Sequence, residues 1–226
     1  MRMIQVMDLH GTDAQRLVFP AASRNVLPIA AVLKEYLPQS GRVLEIASGS
    51  GEHAVAFQQR FKQLVWQASD ANPLHCRSID AWRAHFGLTT VMPSALALDV
   101  RQRPWLLAGM AEHYFAAFVC INLLHISPAI CTQRLFEGAA ELAMNRAVLI
   151  VYGPFMRQGV HTSESNKTFD ASLRQRDPAW GLRDLDWVSS CALAAGWSLN
   201  AVEPMPANNF TLVFGLDDKI SSFHEK

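Results

Sequence analysis

Arg42-Val-Leu-Glu-Ile-Ala-Ser-Gly-Ser-Gly-Glu52 decides the fold of this chain. Its first half is a short β-rich run and its centre is built of small residues. From Glu52 to Phe61 the apolar side chains Ala54, Phe57 and Phe61 can share one helical face. The stretch reads as strand, glycine turn, helix. Gly49 and Gly51 fall where the strand gives way to the helix, and residues without bulk at that corner let a ligand approach the backbone closely.

The same rhythm extends outward in both directions. Upstream, Val26, Ile29, Ala30, Leu33 and Leu37 recur at helical spacing, which predicts an N-terminal helix over 25–37 with Ser23 or Asn25 as its cap and Pro38 and Gly41 beyond its end. Downstream, strands are expected at Leu64 to Ser69, Ala95 to Leu98, Ala116 to Asn122 and Ala147 to Tyr152. Helices are expected at Leu74 to Phe86, Pro104 to Glu112, Ala129 to Met144 and Arg183 to Ala195. Strands alternating with helices imply parallel strands joined by crossovers. The last two strand-like runs, Trp197 to Glu203 and Phe210 to Gly215, are separated by only a short Pro/Asn segment, which suits an antiparallel pair. Between the fifth strand and the Arg183 helix lies a polar, aperiodic segment, 153–181, the expected functional loop.

The totals narrow the function. In 226 residues, 50% are hydrophobic and 18% charged, the balance of a single domain, 1–226, with a substantial core. The 20 basic residues equal the 20 acidic ones, so no net field draws the chain to phosphate backbones or anionic membranes, and a nucleic-acid partner is not expected. Cys76, Cys120, Cys131 and Cys191 form neither CxxC pairs nor a zinc pattern with the histidines, so reduced, buried thiols and no metal are expected. No apolar run approaches the roughly 18 residues of a membrane span, and the start lacks the apolar core of a signal peptide, which points to the cytoplasm.

The chemistry gathers around the glycine turn. Asp70 closes the second strand, where an acid can accept hydrogen bonds from both hydroxyls of a ribose. A dinucleotide enzyme would carry GxGxxG, but here Ala47 and Glu52 stand in the first and third glycine positions. An acid at the helix start also opposes a pyrophosphate. S-adenosylmethionine has no phosphate and carries a sulfonium cation, for which nearby Glu45 is tolerable or helpful. The charges favour that ligand over NAD, and a short-chain oxidoreductase is further excluded by the lack of its Tyr-x-x-x-Lys pair.

Glu45-x-x-x-Gly49-x-Gly51 after the first strand and Asp70 after the second resemble the first two motifs of class I methyltransferases, with Ala47 in place of the family's usual first glycine. More closely, AASRN, VLEIASGSGEHA, WQASD, INLLHISP, YGPF, TSESN, FDASLRQRDPAWGLRDL and PANN resemble the uncharacterised family of methyltransferase-like protein twenty-six, whose members are assigned by fold as S-adenosylmethionine-dependent methyltransferases. The resemblance implies a Rossmann-like, doubly wound sheet of seven mostly parallel strands, ordered 3-2-1-4-5-7-6 with one strand antiparallel. It also implies S-adenosylmethionine as donor, with Asp99 and Val100 at the adenine and Asn122 facing the methyl group.

Around these, Arg24 and Asn25 are placed to close the donor site from above, unless Asn25 merely caps the helix. His125 is a candidate general base or a structural hydrogen-bonding residue, while His53 is read as a backbone or solvent contact near the donor. Tyr152 and Phe155 flank the turn after the fifth strand and can offer aromatic faces to an acceptor or pack in the core. Glu164, Asn166 and Arg174 belong to the 153–181 segment, read as a lid on the acceptor side or as solvated surface. The reading is methyl transfer to a small-molecule acceptor. The alternatives are a nucleoside-binding module without turnover and a protein methyltransferase.

Overall fold

The computed structural model describes residues 15–105 and 114–216. The helix expected at Pro104 to Glu112 lies outside the described residues from 106 onward. Helix α1 (Pro20–Tyr36) starts well before the expected position 25, because Pro20 at its first turn needs no hydrogen-bond partner for its nitrogen. Neither Ser23 nor Asn25 caps it; Phe19 occupies the cap position, and Asn25 lies within the helix and is buried. Then follow β1 (Gly41–Ile46), α2 (Glu52–Arg60), β2 (Leu64–Asp70), α3 (Pro73–His85), a two-residue β3 (Leu96–Ala97) and β4 (Phe115–Ile121).

Helix α4 (Ile130–Leu142) ends two residues before the expected Met144, and β5 (Ala143–Gly153) starts directly after it, earlier than Ala147. The segment expected to be a long loop instead holds α5 (Glu164–Arg176) and two short strands, Phe155–Arg157 and Val160–His161, which form a small second sheet with Arg183–Asp184. Helix α6 (Leu185–Ala194) is capped by the Asp184 side chain, so it starts after Arg183. The chain closes with β6 (Trp197–Met205) and β7 (Asn209–Leu216).

In these labels the main sheet runs β3-β2-β1-β4-β5-β7-β6, the expected order. Strand β7 is antiparallel to both of its neighbours, so it alone runs against the rest. The parallel pairings of β1 with β2 and β4 set Val43 opposite Trp66 and Ala117, and Leu44 opposite Phe118. Alternate residues therefore enter opposite faces. Val43, Trp66 and Ala117 pack under α1–α3 with Ile29, Leu33, Phe57 and Ile79, whereas Leu44, Phe118 and Cys120 pack under α4 and α6 with Phe136, Val188 and Trp197.

A sheet wound from its middle in both directions splits its crossovers between β1 and β4, and the crevice above their carboxyl ends is where such folds hold ligands. Among the described residues no helix is long and apolar enough to cross a membrane.

Candidate functional site

Strand β1 ends because Ala47 turns into the left-handed region, φ 57°, and Gly49 follows at φ 59°. The turn is fastened to β2: the Ser48 amide donates to the Ser69 carbonyl at 2.8 Å, and the Ser69 hydroxyl donates to the Glu45 carbonyl at 2.8 Å. The Gly49 amide donates to Asp70 Oδ2 at 2.9 Å, which brings the turn and the acid at the end of β2 into one unit. Gly51 serves a different purpose. A Cβ there would stand 2.7 Å from the Ile79 Cα, so its lack of a side chain lets α2 close onto α3, and it does not line the cavity described next.

A cavity of about 360 Å³ opens above these strand ends. Its volume is that of a small-ligand site. Glu45, Ala47, Gly49 and Asp70 form one wall; Asp99, Val100 and Asn122 continue it along the sheet edge. Asn122, like Ala47, is a non-glycine residue in the left-handed region, φ 58°. Two such residues at strand ends, both lining one cavity, hold the backbone there against its usual preference.

The carboxylates of this wall differ in state. Glu45 is 1% exposed and accepts from Trp66 Nε1 at 2.6 Å. Burial pushes its carboxyl up to about 8 against the lowering effect of that bond. Asp70 Oδ1 accepts from the Asn72 amide at 2.9 Å and lies 3.1 Å from His75 Nδ1. Asp99 is gripped by Arg101, whose Nε and Nη2 reach its two oxygens at 2.9 and 2.6 Å, and this pairing holds its carboxyl below the usual range.

The remaining candidates lie off the cavity wall. Arg24 is exposed on α1, and Asn25, 9% exposed, faces inward to hydrogen-bond His53 instead of closing the site from above. His125 sits behind Gly153, where a Cβ would come 3.4 Å from its Nδ1, with the Phe169 ring on its other side at 5.7 Å. Burial and the nearby Arg183 bring it down to about 4, which makes it a weak base. Tyr152 and Phe155 are buried in the two halves of the core.

Glu164 stands at the exposed start of α5 and pairs with Lys167 at 3.4 Å. Asn166 ties α5 to the turn between β6 and β7 by donating from Nδ2 to the Thr162 hydroxyl and the Asn208 carbonyl, each at 2.9 Å. Arg174 donates from Nε to Asp170 at 3.1 Å.

Phe19, His75 and Arg101 also line the cavity without having been assigned a role from the sequence, and His53, read as a backbone or solvent contact near the donor, lines it as well. Phe19 lies over the glycine turn, 3.1 Å from where a Gly49 Cβ would stand, and His75 meets its edge at 5.7 Å. Arg101 lines the cavity beside Asp99, and His53 lines it from the first turn of α2. Of Phe19, His75 and Arg101, only Arg101 had a signal in the sequence, an arginine two residues past a strand-end aspartate.

Residues 16–215 match the family model described as "Protein of unknown function (DUF938)". The chain belongs to the DUF938 family. Its fold recurs in solved methyltransferase structures. One is an O-methyltransferase family protein from Burkholderia thailandensis, with TM-score 0.73 and 17% identity over 94% of this chain and 61% of that one. A second, an O-methyltransferase family 2 protein from Planctomyces limnophilus solved in complex with apigenin, has TM-score 0.71 and 15% identity over 95% and 64%. A third, CalO1, a methyltransferase in calicheamicin biosynthesis solved in its SAH-bound form, has TM-score 0.68 and 15% identity over 86% and 54%. This DUF938 chain thus spans 54–64% of the length of these three structures, and identities of this size speak to the fold.

Proposed function

We propose that this protein binds S-adenosylmethionine at the carboxyl edge of its sheet and transfers the methyl group to a small, uncharged acceptor. The observation that carries the reading is the union of turn and acid at one cavity. Gly49 presents a backbone without a side chain, and its amide is bonded to Asp70, the acid at ribose height. The residues present fit this donor. Asp70 and Asp99 give the wall carboxylates suited to a sulfonium, while Glu45, raised to about 8, adds a polar but mostly uncharged group at neutral pH; Arg101, the one lysine or arginine lining it among the described residues, is already taken by Asp99. A pyrophosphate or an anionic acceptor finds no uncompensated cation there.

When bound, the donor supplies an electrophilic methyl carbon. The chain's own part is to hold and to exclude water. Asp70 accepts from the ribose hydroxyls, Asp99 accepts from the adenine amino group in competition with Arg101, and Asn122 faces the transfer point. With His125 a weak base behind Gly153, transfer rests on positioning. The 153–181 unit flanks the acceptor side, the chain works as one domain over 1–226, and the cytoplasm suits it. The narrower resemblance to methyltransferase-like protein twenty-six and the small-molecule methyltransferases that share the fold support the same reading.

Calorimetric titration with S-adenosylmethionine, S-adenosylhomocysteine and NAD tests it. The expected result is micromolar binding of the first two and none of NAD; binding of NAD alone, or of none, overturns it. A module that binds the donor without turnover is the second reading, favoured by the weak bases at the site, and formation of methylated product in an acceptor screen decides against it.

A further inference from the structure

We propose that His53 reads the amino-acid end of the donor, held in place for that task by Asn25 and Phe57. The inference rests on the donor reading above and goes one step beyond it, to a residue and a chemical group.

Two polar side chains from two helices meet here. His53 stands in the first turn of α2 and Asn25 in α1, and both are at most 9% exposed. His53 Nε2 lies 2.8 Å from Asn25 Oδ1. An amide oxygen can only accept, so Nε2 is the protonated nitrogen. Nδ1 is left as a lone pair on a ring that lines the cavity. The imidazole is further fixed by stacking on Phe57, with centroids 5.6 Å apart and planes 26° apart. Burial lowers its pKa to about 4, which keeps that lone pair free at neutral pH.

The cavity wall follows the strand order: Asp99 beyond β3, Asp70 beyond β2, the glycine turn beyond β1, and Asn122 beyond β4. A donor with adenine at Asp99 and ribose at Asp70 extends its amino-acid end past the glycine turn, onto the side that His53 lines. That end carries an ammonium, a donor of three hydrogen bonds that needs acceptors. His75, the other imidazole in the wall, is engaged by Asp70 at 3.1 Å. His53 Nδ1 offers an acceptor whose direction is set before the ligand arrives, and preorganisation lowers the cost of binding.

5′-Methylthioadenosine keeps the adenine, the ribose and the sulfur and lacks the amino-acid end, so it separates this contact from the rest of the donor. Affinities for S-adenosylmethionine, S-adenosylhomocysteine and methylthioadenosine are to be measured on the wild type, His53→Gln and His53→Asn. Gln can place its terminal nitrogen near Nε2, keeping the bond to Asn25 while removing Nδ1; Asn places an oxygen near Nδ1. In His53→Gln the first two ligands are expected to weaken about tenfold with methylthioadenosine within about twofold, and His53→Asn to recover part of the loss. Equal loss of all three ligands, or no change in any, overturns the role of His53 and leaves the donor reading standing. Failure of the wild type to bind any of the three overturns the donor reading and this inference with it.

Discussion

Ala47 and Asn122 hold left-handed backbone at the two strand ends that flank the switch point, where only glycine is free of strain. In Ala47 the side chain contributes nothing to that conformation. Ala47→Gly is therefore expected to stabilise the protein by about 1 kcal/mol, less the extra freedom glycine gives the unfolded chain, a rise of a few degrees at most in thermal melting. A fall in melting temperature would show that the alanine methyl is needed for packing. Asp70 is the converse case, since its carboxylate both fastens the Gly49 amide and faces the cavity. Asp70→Asn keeps the shape and loses the charge. It is expected to weaken S-adenosylmethionine and methylthioadenosine alike by about tenfold, because both carry the ribose. Selective loss of one of them would place the ribose elsewhere.

At the scale of elements, α5 shows why periodicity fails in places. Its buried residues are Asn166, Asp170 and Leu173, so two of the three inward positions are polar and no apolar stripe appears in the sequence. These polar residues are satisfied mainly from outside the helix. Asp170 receives the Leu182 amide at 2.6 Å, with His161 Nε2 at 3.1 Å, and from the next turn of α5 itself Arg174 Nε at 3.1 Å. Gly181 leaves room for this cluster, as a Cβ there would meet Asp170 Oδ1 at 2.7 Å. Asp170→Ala strands a buried amide and two side chains, at a cost of about 2–3 kcal/mol. The loss is expected to be local: hydrogen exchange should rise across 155–182 and stay unchanged in β1, β4 and β5, and uniform loss of protection would make the cluster part of the global core.

The strands and the early helices were legible because each buries a regular apolar face, as Val43/Leu44 and Ile29/Leu33 do. The cavity wall was legible where it rests on backbone chemistry, at Gly49 and Asp70. The place of Phe19 and the tie of His53 to Asn25 were not, because an aromatic ring over a turn and a contact between two helices depend on how α1 crosses the sheet.

For the whole molecule, the buried ionisable groups set a pH optimum. Glu45 is raised from 4.5 to about 8 in the folded state, so the folded protein binds a proton that the unfolded chain has released. Its contribution to stability is complete below about pH 4.5 and is lost as pH rises through about 8. His53 and His125 are each lowered from 6.5 to about 4, so in their case the unfolded chain holds the extra proton. Their contribution is complete above about pH 6.5 and is lost as pH falls towards 4. Between pH 6.5 and 8 the single carboxyl dominates and stability falls with rising pH; between 4.5 and 6.5 the two histidines outweigh it and stability falls with falling pH. The maximum is therefore expected near about pH 6.5, where the opposing proton differences cancel. Melting temperatures taken from pH 5 to 8.5 should trace this dome, and each limb has its own variant. Glu45→Gln should flatten the alkaline limb and steepen the acid limb about twofold, while His125→Gln should leave the acid limb nearly flat between about pH 4.5 and 6.5, where one histidine and Glu45 then cancel. An alkaline limb that survives Glu45→Gln would mean that Glu45 is ionised in the folded protein at neutral pH, with its charge already available to the donor.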